Sequence, residues 1–160
     1  MQVAVCGPAE CTDEEARAAF EVGRLLAGRG AIVLCGGGTG VMAAAAAGTR
    51  SGGGLVVGIR PGPDPGEAAP GLSVVITTNM GEARNAVIVA SADAVIAVGG
   101  SWGTLSEIAL AMRRARDRPP RSLPVVSLGG WRVFDETGAP VPGVVEAASP
   151  ERAVALALGD

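Results

Sequence analysis

The chain has 160 residues, a formal charge of −3, 48% apolar and 18% charged residues, and no His, Lys or Tyr. That length suits one domain with its own core, and the composition excludes a disordered chain, while no apolar run reaches the roughly 18 residues of a membrane span. Without His there is no Ser-His-Asp triad and no His-ligated zinc; without Lys there is no Schiff base to pyridoxal phosphate; and a negative, aromatic-poor chain gives no support to a nucleic-acid partner.

"QVAVCG" (2–7) reads as a strand. No basic flank precedes it, so no secretory leader is expected and the expected compartment is the cytoplasm. "TDEEARAAFEVGRLLAGRG" (12–30) reads as a helix with Thr12 as N-cap, acids in its first turn and Gly30 at its end. "AIVLCGGG" (31–38) is a second buried strand running into glycines, and "VMAAAAAGTRS" is the helix that follows. Cys6, Cys11 and Cys35 are an odd number without metal-ligand spacing, so neither a disulfide framework nor a metal site is expected.

"GLVVGIRP" (54–61) and "LSVVITT" (72–78) read as the third and fourth strands, joined by a Pro/Gly-rich loop over 61–71. "GEARNAVIVASA" (81–92) is a helix, "DAVIAVGG" (93–100) the fifth strand and "TLSEIALAMRRARD" (104–117) the next helix, with arginines where the macrodipole favours cations. "LPVVSLGG" (123–130) is the sixth strand, "VVEAA" (144–148) a short seventh, and "SPERAVALALG" a closing helix capped by Ser149. Continuous apolar strands alternating with helices predict a doubly wound α/β fold: one Rossmann-like domain over 1–160, a parallel sheet of six to seven strands with helices on both faces.

In such folds ligands bind beyond the carboxyl ends of the strands, near the point where strand order reverses. Those ends supply Gly7, the run Gly36, Gly37, Gly38, Thr39 and Gly40, then Thr78, then Gly99 and Gly100. Glycines between strand and helix let backbone N–H groups approach a phosphate, and they also serve tight turns. "GGSWGTLSE" (99–107) has the same double character. Thr104 and Glu107 have capping-box spacing, whereas Gly99, Gly100 and Gly103 together suit an anion cradle with a carboxylate beside it. Arg84 stands in the first turn of an otherwise apolar helix, where a cation opposes the dipole; it marks either a functional site or an Arg84–Glu107 ion pair between helices. The all-round apolar character of that helix predicts burial against a second subunit. Cys6 and Cys35, ending adjacent strands, are expected to face one cleft as buried side chains. Trp102 either stacks on a base or covers the turn.

"GGGTGVMAAAAAGTRSGGGLVVGIRPG" and "ARNAVIVASADAVIAVGGSWGTLSEIALA" resemble the Lonely Guy-like Rossmann superfamily over roughly residues 2–130. That superfamily includes cytokinin-activating phosphoribohydrolases, proteins labelled lysine decarboxylases, and molybdenum-cofactor carrier proteins. The resemblance implies catalytic roles for Arg84 and Glu107 and phosphate binding at Gly99, Gly100, Gly103 and Thr104. Asn85 replaces the phosphoribohydrolases' Lys, Val98 replaces their Pro, and Ser101-Trp102 stand where they have one residue. The Arg-Asn pair and the short chain look closer to the cofactor-carrier branch. A decarboxylase using pyridoxal phosphate is excluded by the absence of lysine.

The reading that follows is a protein that binds a small phosphorylated ligand, AMP-like or the molybdenum cofactor, with no tightly held cofactor and no metal. Hydrolysis of a nucleoside 5′-monophosphate is the second reading. A regulatory subunit with purely structural turns is the third. The expected partners are the ligand and copies of the same chain in a dimer or tetramer, with neither nucleic acid nor membrane.

Overall fold

The computed structural model describes residues 1–116 and 123–160. Chain order is β1 (Gln2–Cys6), α1 (Asp13–Gly28), β2 (Ile32–Cys35), α2 (Val41–Ser51), β3 (Val56–Arg60), β4 (Val74–Thr77), α3 (Arg84–Ser91), β5 (Ala94–Val98), α4 (Trp102–Arg116), β6 (Val125–Leu128), β7 (Val144–Glu146) and α5 (Pro150–Leu158). Single 3₁₀ turns at Pro65–Glu67 and Gly81–Ala83 interrupt the loops before β4 and α3. Every expected element is present; Asp117, the last residue expected in the α4 helix, lies outside the described residues.

Among the described residues seven strands form one sheet in the order β4-β3-β2-β1-β5-β6-β7, and every pairing is parallel. The order reverses between β1 and β5, because the chain walks outward from β1 to β4 and then returns to the other side of β1. That reversal opens a crevice at the carboxyl edge.

Alternation along each strand divides the core into two layers. Val3, Val5, Val33, Cys35, Val56, Ile96 and Val98 face α1, α2 and α5. Ala4, Cys6, Leu34, Ile59, Val95, Ala97 and Val125 face α3 and α4 through Ile88, Val89, Ile108 and Ala111. The small residues of α2 have a packing purpose. Gly48 meets the Phe20 carbonyl and Gly23 meets that of Ala45, so α1 and α2 approach too closely for a Cβ at either place.

The start of α1 follows the expected cap. Thr12 Oγ1 accepts from the Glu15 N–H at 3.2 Å and the Glu15 carboxylate accepts from the Thr12 N–H at 2.8 Å, a complete capping box. Asp93 accepts from the Gln2 N–H at 2.8 Å and so ties the start of β5 to that of β1.

Candidate functional site

Three loops and two helix starts enclose a cleft of about 780 Å³ at the β1/β5 reversal. This lies within the usual size of small-molecule sites. Its walls come from Cys6 to Glu10 after β1, Gly36 after β2, Met42 on α2, Glu82, Arg84 and Asn85 around the start of α3, and Ser101 to Thr104 with Ser106 and Glu107 on α4.

The α4 start differs from the expected capping box. The helix begins at Trp102, so Ser101, not Thr104, is the N-cap. Ser101 Oγ accepts from the Thr104 N–H at 3.2 Å, and its carbonyl accepts from the Leu105 N–H at 2.9 Å. Thr104 falls at the third helical position, 1% exposed, with its hydroxyl 3.0 Å from that of Ser101. Glu107, one turn further on, therefore caps nothing and is turned into the cleft at 6% exposure. The amides of Trp102 and Gly103 precede the first intrahelical bond and have no protein partner among the described residues.

Arg84 faces this turn from α3. It is 9% exposed and its Nε is buried without a hydrogen-bond partner among the described residues. Its Nη1 lies over Gly36, where any Cβ would collide with it, and a Cβ there would also stand 2.6 Å from Met42 Sδ. The alternative of an Arg84–Glu107 ion pair does not hold: among the described residues neither takes part in one. A buried guanidinium lacking acceptors is costly unless something supplies them.

The neighbouring Asn85 is 4% exposed, and its Nδ2 donates to Ser106 Oγ at 2.9 Å, which donates in turn to the Gly103 carbonyl at 2.7 Å. Asn85 thus ties the start of α3 to the first turn of α4 and fixes the distance across the cleft.

Protonation on the cleft floor follows from burial. The Glu107 carboxyl is pushed up to about 7, chiefly by loss of water, with the Cys6 thiol and the Arg84 charge pulling it back. Burial also raises the Cys6 thiol well above its ordinary value, and the Glu107 charge raises it further. Cys6 is therefore a neutral thiol at neutral pH and not an activated nucleophile. Cys35, raised to about 11 mainly by burial, does not share the cleft. The register Ala4↔Leu34 sets Gly36 beside Cys6 on the α3/α4 face and turns Cys35 to the opposite layer. The expectation that both cysteines face one cleft is corrected by that alternation.

The glycine-rich ends divide. Gly7, Gly36, Gly103 and Thr104 line the cleft with Arg84 and Glu107. Gly37, Gly38, Thr39, Gly40, Thr78, Gly99 and Gly100 do not. Thr39 Oγ1 donates to the Ala9 carbonyl at 3.0 Å, and Gly40 sits at φ +61 against the Pro8 and Ala9 carbonyls, so these two lock the β2 loop to the β1 loop. Gly37 and Gly38 pack beside Arg60, which also pairs with Glu67 at 3.1 Å and holds the 61–71 loop in place. Thr78 Oγ1 donates to the Arg60 carbonyl at 2.8 Å. Gly99, at φ +65, lies under the Glu15 carboxylate, and Gly100 under the Trp131 ring. Sequence reasoning did not place Asn85, Ser101, Ser106 and Met42 on the cleft wall. Asn85 and Ser101 carried a signal, Asn85 by standing where the phosphoribohydrolases have Lys and Ser101 by belonging to a pair that stands where they have one residue.

Comparison with known proteins agrees with this architecture. The model of the SLOG cluster4 family matches residues 1–154. A protein of Archaeoglobus fulgidus is 44% identical over 135 residues, covering 84% of this chain and 88% of its own. The molybdenum cofactor binding protein of Rippkaea orientalis superposes with a TM-score of 0.84 at 31% identity, covering 99% of this chain and 95% of that one. The molybdenum cofactor carrier protein of Chlamydomonas reinhardtii gives 0.79 at 30% identity, over 96% and 93%. DNA processing protein A of Helicobacter pylori, at 19% identity and 0.69, shares the fold alone.

Proposed function

The chain belongs to the SLOG cluster4 family, and we propose that it binds a small phosphorylated ligand, AMP-like or of the molybdenum-cofactor kind, and carries it without turning it over. The observation that supports this most is Arg84: a buried guanidinium with an unpartnered Nε, facing the bare amides of Trp102 and Gly103 across a cleft of ligand size. A phosphate between them would supply the acceptors that both sides lack. The relatives in Rippkaea and Chlamydomonas, described as molybdenum-cofactor binding and carrier proteins, support the carrier reading. Thermal melts and calorimetry with AMP and with molybdenum cofactor test it; stabilisation at ligand concentrations well above Kd is expected. No shift with any phosphorylated ligand overturns it.

The second reading is hydrolysis of the N-glycosidic bond of a nucleoside 5′-monophosphate, and it has one observation in its favour: Arg84 and Glu107 line the same cleft. Ionised Glu107 would stabilise positive charge developing on the ribose. AMP incubated with the protein would then yield adenine and ribose 5-phosphate, and Glu107→Ala would stop it. Absence of turnover by the wild type ends this reading.

Self-association belongs to the same proposal. Val74, Ile76 and Met80 are 51%, 45% and 49% exposed at the β4 edge. Val74 and Ile76 pair with Val57 and Ile59, so they lie on the sheet face that carries α3. A second copy is the simplest cover for such a patch, and light scattering on the eluted protein would show a dimer or tetramer. The net charge of −3 and the carboxylates of Glu10 and Glu82 at the cleft favour a small ligand over nucleic acid. Three free thiols suit a reducing compartment such as the cytoplasm. Among the described residues no helix is long and apolar enough to cross a membrane.

A further inference from the structure

The mouth of the cleft holds a feature that phosphate binding does not use. The chain has two Trp, two Phe and no Tyr, and both tryptophans meet there. Trp102, the first residue of α4, lines the cleft and is 78% exposed, more open than any other large apolar side chain among the described residues. Trp131, on the segment after β6, lies beside it with ring centroids 5.2 Å apart and planes tilted by 43°.

Trp131 is itself held. Its Nε1 donates to the Ser101 carbonyl at 2.8 Å, and its ring covers Gly100, where a Cβ would stand 2.9 Å from Cδ1. One indole is thus anchored to the residue that caps α4, and it braces the other, which remains open to solvent. A tryptophan so exposed gains little from burial, while the brace restrains its orientation. An oriented, open aromatic surface is what a flat ring needs.

We propose that Trp102, braced by Trp131, is the stacking surface for a planar heteroaromatic ring of the ligand. This rests on the phosphate-binding reading above and deepens it: the flat ring of the AMP-like or pterin-bearing ligand proposed there is the part that Trp102 holds. The ring surface and the bare amides of Trp102 and Gly103 belong to one helical turn, so ring and phosphate are held on the same element at a short, set spacing. Stacking accepts any flat ring; the phosphate contacts fix the ligand's register.

The test uses the full chain and three probes, AMP, neopterin monophosphate and ribose 5-phosphate, of which only the first two carry a ring. Trp102→Ala should weaken the ring-bearing probes roughly tenfold and leave ribose 5-phosphate unchanged; Trp102→Phe should recover most of the loss. In Trp131→Phe, Trp102 is the remaining indole, and its emission should respond to AMP but not to ribose 5-phosphate. Equal loss for all three probes, or no loss in Trp102→Ala, overturns the stacking role while the phosphate site stands. If none of the three binds the wild-type chain, the phosphate-binding reading fails and the stacking role fails with it. A change of oligomeric state in Trp102→Ala with unchanged affinities would make Trp102 a subunit contact and also overturn the proposal.

Discussion

Replacing Glu107 with Gln should raise stability at pH 8 and change it little at pH 4. Glu107 is 6% exposed, and burial holds its carboxyl at about 7 against an ordinary 4.5. Between those two values the folded chain keeps a proton that the unfolded chain has released. Stability from this group is therefore fully present below the unfolded value and is lost as pH rises through the folded one. A carboxyl displaced that far corresponds to about 3 kcal/mol lost by pH 8. Gln stays neutral at every pH and lacks this slope. For a chain of this size each kcal/mol moves Tm by about 2–4 °C, so Glu107→Gln should melt roughly 6–12 °C above wild type at pH 8. Comparing the two proteins isolates the contribution of residue 107. Melting both by circular dichroism from pH 4 to pH 9 gives the difference directly. A constant offset across that range, or a variant less stable than wild type at pH 8, would refute the claim that a buried charge is being penalised at Glu107.

Arg84→Met should lower AMP affinity at least tenfold while leaving Tm unchanged or higher, because an apolar chain replaces a buried charge whose Nε has no acceptor among the described residues; calorimetry and melting read the two effects separately. Gly36→Ala would place a Cβ against Arg84 Nη1 and Met42 Sδ, so it should displace the guanidinium and cut AMP affinity by about tenfold with the circular dichroism spectrum kept. AMP should bind more tightly at pH 6 than at pH 8 as Glu107 ionises through about 7. Titration of the AMP phosphate is common to wild type and Glu107→Gln, so the Glu107 contribution is the difference between their pH profiles, and identical profiles would refute it. Ser101→Ala should cost about 1 kcal/mol, a fall in Tm of about 2–4 °C, by removing the cap that α4 uses.

Much of this molecule was readable from local pattern. Uninterrupted apolar runs marked the six longer strands, and their alternation with helices marked a parallel, doubly covered sheet, because a strand buried on both faces cannot be polar on either. Arg84 was visible as an anomaly, since a cation at a helix start next to an apolar run breaks two local rules at once. Cap chemistry was legible at one place and misleading at another. Thr12-x-x-Glu15 and Thr104-x-x-Glu107 share one spacing, yet the first is a capping box and the second is not. What separates them is where the helix begins. Gly99 and Gly100, held under Glu15 and Trp131, deliver the chain so that Ser101 caps α4 and Glu107 turns inward.

The sequence by itself determined the elements, their type and order, the edge of the sheet where the cleft opens, and the chemistry that the composition forbids. These depend on periodicity and residue type, which act over a few residues. Only the tertiary structure decided which glycines meet the cleft and which merely pack, that Cys6 lines it and Cys35 does not, and that Arg84 Nε is left without an acceptor among the described residues. Those outcomes depend on the register between strands about thirty residues apart and on side chains brought over a loop from distant segments, and no local pattern encodes that register.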